Sequence, residues 1–134
     1  MKTEESLSIR LAATLMKRYP HPDNFPYTSW CYPQGFMLAG IIRLYRDTGR
    51  PAYRDYALKF ADHHVGPKGE IYRFHGRSMD DMMAGSVLAW AFAETGEERY
   101  RKACGHILKM FERYPRTSRG GFLHAAENTP AKCG

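Results

Sequence analysis

The chain has 134 residues, 43% of them hydrophobic and 25% charged, which predicts one globular domain and excludes an intrinsically disordered protein. The formal net charge is +6, but the basic residues are spread along helical patterns beside Asp or Glu. We therefore expect solvated helix faces and no nucleic-acid binding. The N-terminus is polar and no apolar run reaches about 20 residues, so we expect neither a secretory signal nor membrane insertion.

Hydrophobic spacing predicts five helices. In chain order they cover about Glu4–Tyr19, Pro33–Thr48, Pro51–His64, Asp80–Thr95 and Glu97–Arg113. Gly49 and Gly96 are placed to end the second and fourth of them. We expect Glu70–Arg77 to be extended and Arg116–Gly134 to be a loop.

Two segments of the chain repeat each other. Leu44–Arg54 and Ala91–Arg101 share an aromatic residue, an acid, Thr-Gly and Tyr-Arg in the same order, about 47 residues apart. This pattern predicts a repeated helix–turn–helix unit, with Tyr53 and Tyr100 packed near the start of each second helix. The period is longer than the roughly 34 residues of a TPR repeat, which favours an (α/α) toroid.

The cysteines and histidines do not indicate a metal site. Cys31, Cys104 and Cys133 are odd in number and contain no CxxC pair, so neither a disulfide framework nor a zinc site is predicted. Free thiols suit the cytosol, and we expect a cytoplasmic protein. His63 and His64 fall late in a predicted helix, where the helix dipole favours cations, and we assign no metal to them.

The predicted loops carry three motifs. They are Trp30–Gly35, Met79–Asp81 and Arg116–His124. In that order they resemble the unsaturated rhamnogalacturonyl hydrolases and the related unsaturated glucuronyl hydrolases, which show Trp-x-Tyr-x-x-Gly, Asp-Asp before a helix, and Arg-Thr-x-x-Gly-Gly-Phe-Trp-His. The resemblance runs from about Arg10 to His124, with Leu123 in place of the usual Trp.

The resemblance implies an all-α fold in which this chain forms about two and a half hairpins of an (α/α) six-hairpin barrel, as a single incomplete domain over residues 1–134. It also implies a substrate, an oligosaccharide from pectin or rhamnogalacturonan that ends in a 4,5-unsaturated uronate. A carboxylic acid protonates the double bond, water adds at C5, and the hemiketal opens to release the neighbouring sugar. The resemblance implies no metal or organic cofactor.

The acids and the histidine have two interpretations each. Family similarity places one member of the Asp80–Asp81 pair in the catalytic site, where it tunes or assists the main acid. Adjacent acids before a helix also serve as N-caps. His124 matches the family histidine that holds the sugar or the attacking water, whereas a lone loop histidine is more often a surface residue.

The aromatic and arginine candidates are also open. Trp30 and Tyr32 are expected either to form a stacking floor for the sugar or to hold the loop onto the helix. Arg116 and Arg119 are candidates to bind a uronate carboxylate in bidentate fashion. The alternative is that both arginines are solvated loop residues.

The main catalytic acid of the family is missing from this chain. In the family a Tyr-Pro segment and Met-Trp-Leu-Asp follow the histidine, and that Asp is the principal acid. Here Ala125–Gly134 departs from the pattern. With suitable synonymous codons, a shifted reading frame from Ala126 yields Arg-Lys-Tyr-Pro-Gly-Lys-Met-Trp, so we predict that residues 125–134 are out of frame and that the chain alone is inactive.

Two other functions remain open at this point. One is a non-catalytic helical-repeat module that binds a protein through its curved face. The other is a different (α/α) toroid enzyme, such as a sugar epimerase, whose cleft would carry His pairs on helices. An incomplete barrel also exposes apolar helix faces, so we expect self-association.

Overall fold

The computed structural model describes residues 5–26 and 30–126, and the regular elements within these ranges are helical. Five α-helices follow in chain order: α1 (Leu7–Arg18), α2 (Tyr32–Thr48), α3 (Pro51–His64), α4 (Gly85–Thr95) and α5 (Glu98–Arg113). Single-turn 3-10 helices lie at Pro22–Asn24 and Met79–Asp81. In the described part of the chain, no helix has both the length and the apolar character to cross a membrane.

Two predicted helices begin later than expected. The N-cap of α1 is Ser6 and no acid lies in its first turn; Glu5 instead accepts a 3.1 Å hydrogen bond from Arg50. Glu4, the predicted start, lies outside the described residues. α4 begins at Gly85 rather than at Asp80, for a reason that concerns the candidate site.

The segment Glu70–Arg77 does not form a strand. Its one β-bridge joins Val65 and Ile71, and Arg73 adopts a left-handed φ of 65°. The expected extended conformation is therefore interrupted at Arg73. The final loop bends back onto itself through a bridge between Arg116 and Phe122.

The repeated unit is a helical hairpin, as predicted. α2–α3 and α4–α5 are joined by equivalent turns, in which Gly49 has φ 68° and Gly96 has φ 71°. Thr48 Oγ1 donates to Leu44 O at 2.6 Å, and Thr95 Oγ1 donates to Ala91 O at 2.7 Å. The glycine N–H groups bond to Tyr45 O and Phe92 O, so carbonyls of the last helical turn gain a partner at both turns.

The core lies between the two hairpins. It includes Leu38, Phe60, Leu88 and Tyr100, each of which is fully buried. Burying such a side chain contributes about 1.5–3 kcal/mol, so these contacts dominate the stability of the hairpin pair. Tyr53 is 5% exposed, and the predicted packing of both tyrosines is confirmed.

Polar bonds also join the hairpins. The Glu94 carboxylate accepts hydrogen bonds from Tyr45 Oη at 2.9 Å and from Arg54 Nε at 2.7 Å. Gly35 of α2 approaches the chain just before α4 so closely that a Cβ atom there would lie 3.0 Å from Met83 Cγ. The start of α2 is thereby set beside the loop that carries Asp80 and Asp81.

Candidate functional site

The Asp80–Asp81 pair lies in a 3-10 turn held by two other residues. Ser78 is the N-cap, and its Oγ accepts a 3.2 Å hydrogen bond from the Asp80 backbone N–H. Trp30 Nε1 donates a 2.7 Å hydrogen bond to the backbone oxygen of Asp81. The N–H groups of Gly85, Ser86 and Val87 bond to carbonyls three residues earlier rather than four, so the 3-10 pattern continues past Asp81 and α4 starts only at Gly85.

The expectation that these aspartates cap the helix is wrong. The residue at the N-cap position of α4 is Ala84, which makes no side-chain cap bond. Neither aspartate side chain is used as a cap of the 3-10 turn or of α4, so both carboxylates are available for other interactions. Half-buried acids without a capping role are candidates for chemistry.

Asp81 has the environment of a proton donor. Burial is the largest effect on its pKa and raises it, and the nearby charge of Asp80 acts in the same direction. The charge of His75 and a hydrogen bond from the Arg77 backbone N–H oppose this effect, but the pKa of Asp81 stays above its ordinary value. A raised pKa favours the protonated carboxyl that acid catalysis requires.

His124 lies beside Asp80. Its Nε2 is 3.8 Å from Asp80 Oδ2, and its backbone oxygen accepts hydrogen bonds from the Met79 N–H at 2.9 Å and from Tyr114 Oη at 3.0 Å. The final loop is thus fastened to the 3-10 turn across 45 positions of sequence, counted from Met79 to His124. The structure brings Asp80, Asp81 and His124 together, and the imidazole is 69% exposed.

Trp30 and Tyr32 differ in exposure. The Trp30 ring is 4% exposed and stacks on Phe60 with centroids 5.7 Å apart. This burial favours the second interpretation, in which Trp30 fastens the loop to the helices rather than offering a face to a sugar. Tyr32 is 44% exposed and remains a candidate for stacking.

Arg116 is engaged within its own turn. Its Nη1 donates to Gly120 O at 2.8 Å, and its guanidinium lies 3.8 Å from the centroid of the Phe122 ring. Arg119 is exposed on the same turn. Since the Arg116 guanidinium already has two intramolecular contacts, carboxylate binding by this residue would require it to leave them.

His63 and His64 bind Asp23. His64 is fully buried and its Nε2 is 2.9 Å from Asp23 Oδ1, while His63 Nε2 is 3.2 Å from Asp23 Oδ2. Burial is the largest effect on the pKa of Asp23 and raises it, but the bond from His64 and the charges of His63 and His21 hold that pKa below its usual value. Over residues 5–26 and 30–126, no three His, Cys, Asp or Glu side chains are arranged to hold a metal ion.

Sequence reasoning missed two contributors, His75 and Arg77, which both act on the Asp81 carboxyl. The alternation of basic and other residues from Arg73 to Arg77 was a signal for them. The tail predicted to be out of frame, residues 125–134, is described only at Ala125 and Ala126.

Comparison with known proteins shows the family of this chain. A family model described as Glycosyl Hydrolase Family 88 matches residues 7–132. The chain belongs to this family. The match to Glycosyl Hydrolase Family 88 extends over the segments that carry Asp80, Asp81 and His124.

A solved structure of a glycoside hydrolase from family 105 of C. acetobutylicum ATCC 824 is similar to this member of Glycosyl Hydrolase Family 88. The two chains are 27% identical, with a TM-score of 0.84 over 94% of this chain. This chain spans 34% of the length of that hydrolase. The fold is therefore the expected one, all-α, with helical hairpins that form part of an (α/α) six-hairpin toroid.

Proposed function

We propose that the chain forms part of the active site of an unsaturated glycuronyl hydrolase. Its substrate is an oligosaccharide, derived from pectin or rhamnogalacturonan, that ends in a 4,5-unsaturated uronate. The observation that carries the proposal is the position of Asp81, half-buried with a raised pKa, beside Asp80 and near His124. Membership of Glycosyl Hydrolase Family 88 supports the class of reaction.

Each residue has a part in the proposed chemistry. The reaction needs a carboxylic acid that gives a proton to the double bond and then accepts one from the attacking water. Asp81, whose pKa is raised by burial, is suited to assist the main acid or to hold a hydroxyl of the sugar. Asp80 orients His124, whose exposed imidazole is placed to hold the sugar or the water.

We also propose that this chain lacks the main catalytic acid. In the family pattern that acid follows the histidine in a Met-Trp-Leu-Asp run, which Ala125–Gly134 does not contain. We propose that the 134 residues bind substrate without turning it over. The free thiols of Cys31 and Cys104 are consistent with a cytoplasmic location.

Self-association is a further part of the proposal. A groove of about 450 Å³ between α1 and α2 is lined by apolar side chains such as Leu11, Phe36 and Met37. A second groove of about 290 Å³ between α4 and α5 is lined by Ile107, Leu108 and others. Two open apolar grooves on one small chain favour association between copies.

Binding and turnover measurements test the function. We expect an unsaturated galacturonyl-rhamnose disaccharide to bind the chain, as measured by isothermal titration calorimetry, and to keep the absorbance of its double bond. Asp81→Asn and His124→Ala should weaken binding, whereas His106→Ala, an exposed histidine on α5, serves as the control. Absence of binding by the folded chain would contradict the site, and loss of absorbance would contradict the missing acid.

The encoding DNA tests the predicted frame. We expect a shifted frame after the His124 codon to continue into Tyr-Pro-x-x-Met-Trp-Leu-Asp and further helical hairpins. The repaired gene should then consume the unsaturated disaccharide. If the actual codons do not yield Met-Trp, the frame hypothesis fails while the binding site is still judged by the calorimetry.

A further inference from the structure

The segment before the 3-10 turn presents a row of basic side chains to solvent. Arg73, His75 and Arg77 are exposed, whereas the residues between and after them are half-buried or buried: Phe74, Gly76 and Ser78. The exposed side chains therefore alternate with inward ones, although the segment is not a strand and has a positive φ at Arg73 and Gly76. We call Arg73, His75 and Arg77 the basic row.

The inward residues fix the basic row in place. Phe74 packs its ring against Trp30 with centroids 6.0 Å apart. Gly76 has φ 63°, and a Cβ atom there would lie 2.4 Å from Met110 Cε, so the backbone sits directly on α5. The Arg77 carbonyl accepts a 2.8 Å hydrogen bond from the Ala126 N–H. The backbone that carries the exposed side chains is therefore fixed by its contacts with Trp30, with α5 and with Ala126.

The basic row adjoins the candidate acid. The Arg77 backbone N–H bonds to the Asp81 carboxyl, and the charge of His75 acts on the same group. The positive side chains thus begin where the proposed chemistry takes place.

The arginines of the basic row also differ from four arginines on the helices. Arg43, Arg54, Arg99 and Arg101 each form an ion pair with a carboxylate of their own hairpin or the adjacent one. Within residues 5–26 and 30–126, no such ion pair involves Arg73 or Arg77. Guanidinium groups without a carboxylate partner are available to an anionic ligand, which they bind in bidentate fashion.

We infer that the basic row is a subsite for the carboxylates of an acidic oligosaccharide, and that the preferred substrate carries at least one uronate besides the unsaturated one. This rests on the proposed function of the Asp80–Asp81 site. Arg73 and Arg77 are four positions apart and both exposed, so their guanidinium groups can engage separate carboxylates. Arg116, which is bonded within its own turn, is not required for this recognition.

The test compares two ligands and two double variants. The ligands are unsaturated digalacturonate, with two carboxylates, and an unsaturated galacturonyl-rhamnose disaccharide, with one. Arg73→Gln/Arg77→Gln removes the two arginines of the basic row. Arg10→Gln/Arg46→Gln removes the same charge from exposed positions on α1 and α2, and so controls for long-range attraction. Calorimetry at low and high salt gives each affinity.

We expect the wild-type chain to bind the digalacturonate more tightly than the rhamnose-containing disaccharide. Arg73→Gln/Arg77→Gln should weaken digalacturonate binding about tenfold, the effect of two exposed ion pairs, and should reduce the salt dependence. The control variant should change affinity less than twofold. These three results together support the subsite.

Other outcomes overturn the inference in distinguishable ways. An equal loss of affinity in both double variants would show that overall charge, and not the basic row, attracts the ligand. Equal affinity of the wild type for both ligands would remove the subsite and leave the proposed function intact. Failure of the folded wild type to bind either unsaturated ligand would remove the proposed function as well.

Discussion

Trp30 Nε1 donates a hydrogen bond to the backbone oxygen of Asp81 at 2.7 Å. The same indole stacks on Phe60 in the core and meets the edge of the buried His64 ring, with centroids 5.5 Å apart. One side chain therefore links the packing between the hairpins to the turn that carries the candidate acid.

Replacing the indole tests this link. Trp30→Phe keeps an aromatic ring for Phe60 but leaves the Asp81 carbonyl without its donor. We expect the free energy of unfolding, measured by urea titration, to fall by about 1–3 kcal/mol. Access of water to the turn should also bring the pKa of Asp81 down toward its ordinary value, as followed by carbon-13 NMR of the carboxyl group.

Trp90→Phe is the matched control for that variant. Trp90 is 8% exposed and packs edge-on against Tyr45 in the core. Its replacement should also lower stability through lost volume, yet leave the titration of Asp81 unchanged. An Asp81 pKa that stays raised in Trp30→Phe would contradict the link.

The titration of Asp81 makes stability depend on pH. Because burial raises its pKa above the unfolded value of 3.8, the folded state favours the protonated acid. Its contribution to stability is therefore full below that value and is lost as the pH rises through the folded pKa. Asp81→Asn should accordingly become more stable relative to wild type between pH 3 and pH 7, as measured by thermal unfolding. A difference that does not vary with pH would refute the raised pKa.

Asp23 should show the opposite dependence. Its pKa is held below the ordinary value of 3.8, so its contribution is present above that value and is lost as the pH falls through the folded pKa. Asp23→Asn should cost about 2 kcal/mol near neutral pH, since it weakens the hydrogen bond to the buried His64 and the 3.2 Å contact with His63. The cost should shrink toward pH 3.

Asp55→Asn is the control for Asp23. Asp55 lies on α3, is 64% exposed and is 3.5 Å from Arg54, so its replacement should change stability by less than about 1 kcal/mol at any pH. Equal effects of the two substitutions would show that the buried histidine contacts of Asp23 contribute little.

Replacing the glycine of each hairpin turn should change stability in a predictable direction. Gly49→Ala and Gly96→Ala force a side chain into the left-handed region and should each destabilise the fold by about 1 kcal/mol. Gly40→Ala should instead stabilise it by up to about 1 kcal/mol, because Gly40 is exposed within α2 and a Cβ atom there meets nothing within 4 Å. Melting temperatures measure all three; a stabilising Gly96→Ala would contradict the repeated turn.

Self-association depends on the groove between α4 and α5. Leu108 lines it and is 64% exposed. Leu108→Lys should shift the chain toward monomer in analytical ultracentrifugation, with little loss of stability because no buried contact is removed. Lys109→Leu, on the same helix outside the groove, is the control and should not favour monomer. A wild-type chain that is monomeric at high concentration would contradict the expectation.

The hairpins were predictable because their signals are local. Thr48-Gly49 and Thr95-Gly96 specify the turn through hydrogen bonds to the preceding helical turn and a positive φ at glycine. The bounds of α3 follow in the same way from Pro51 at its start. Local signals of this kind can be recognised in a single sequence.

The contacts of the site were less predictable because they join distant positions. Asp80 and Asp81 read as the first turn of a helix, and nothing in their local sequence indicates that Trp30, 51 positions earlier, bonds to the Asp81 carbonyl. The pairing of Asp23 with His64 spans 41 positions. Helical periodicity carries no information on such partners, whereas the ordered loop motifs predicted the neighbourhood of Asp80 and His124.

The position of the Trp30 ring has a consequence for how this protein responds to temperature. The indole packs in the hydrophobic core and also donates a hydrogen bond to the turn that carries Asp81. Loosening of the packing around Phe60 should therefore also loosen the turn at Asp81 before the whole chain unfolds. On heating, we expect the pKa of Asp81 to fall toward its ordinary value over the same range in which the two hairpins begin to open locally.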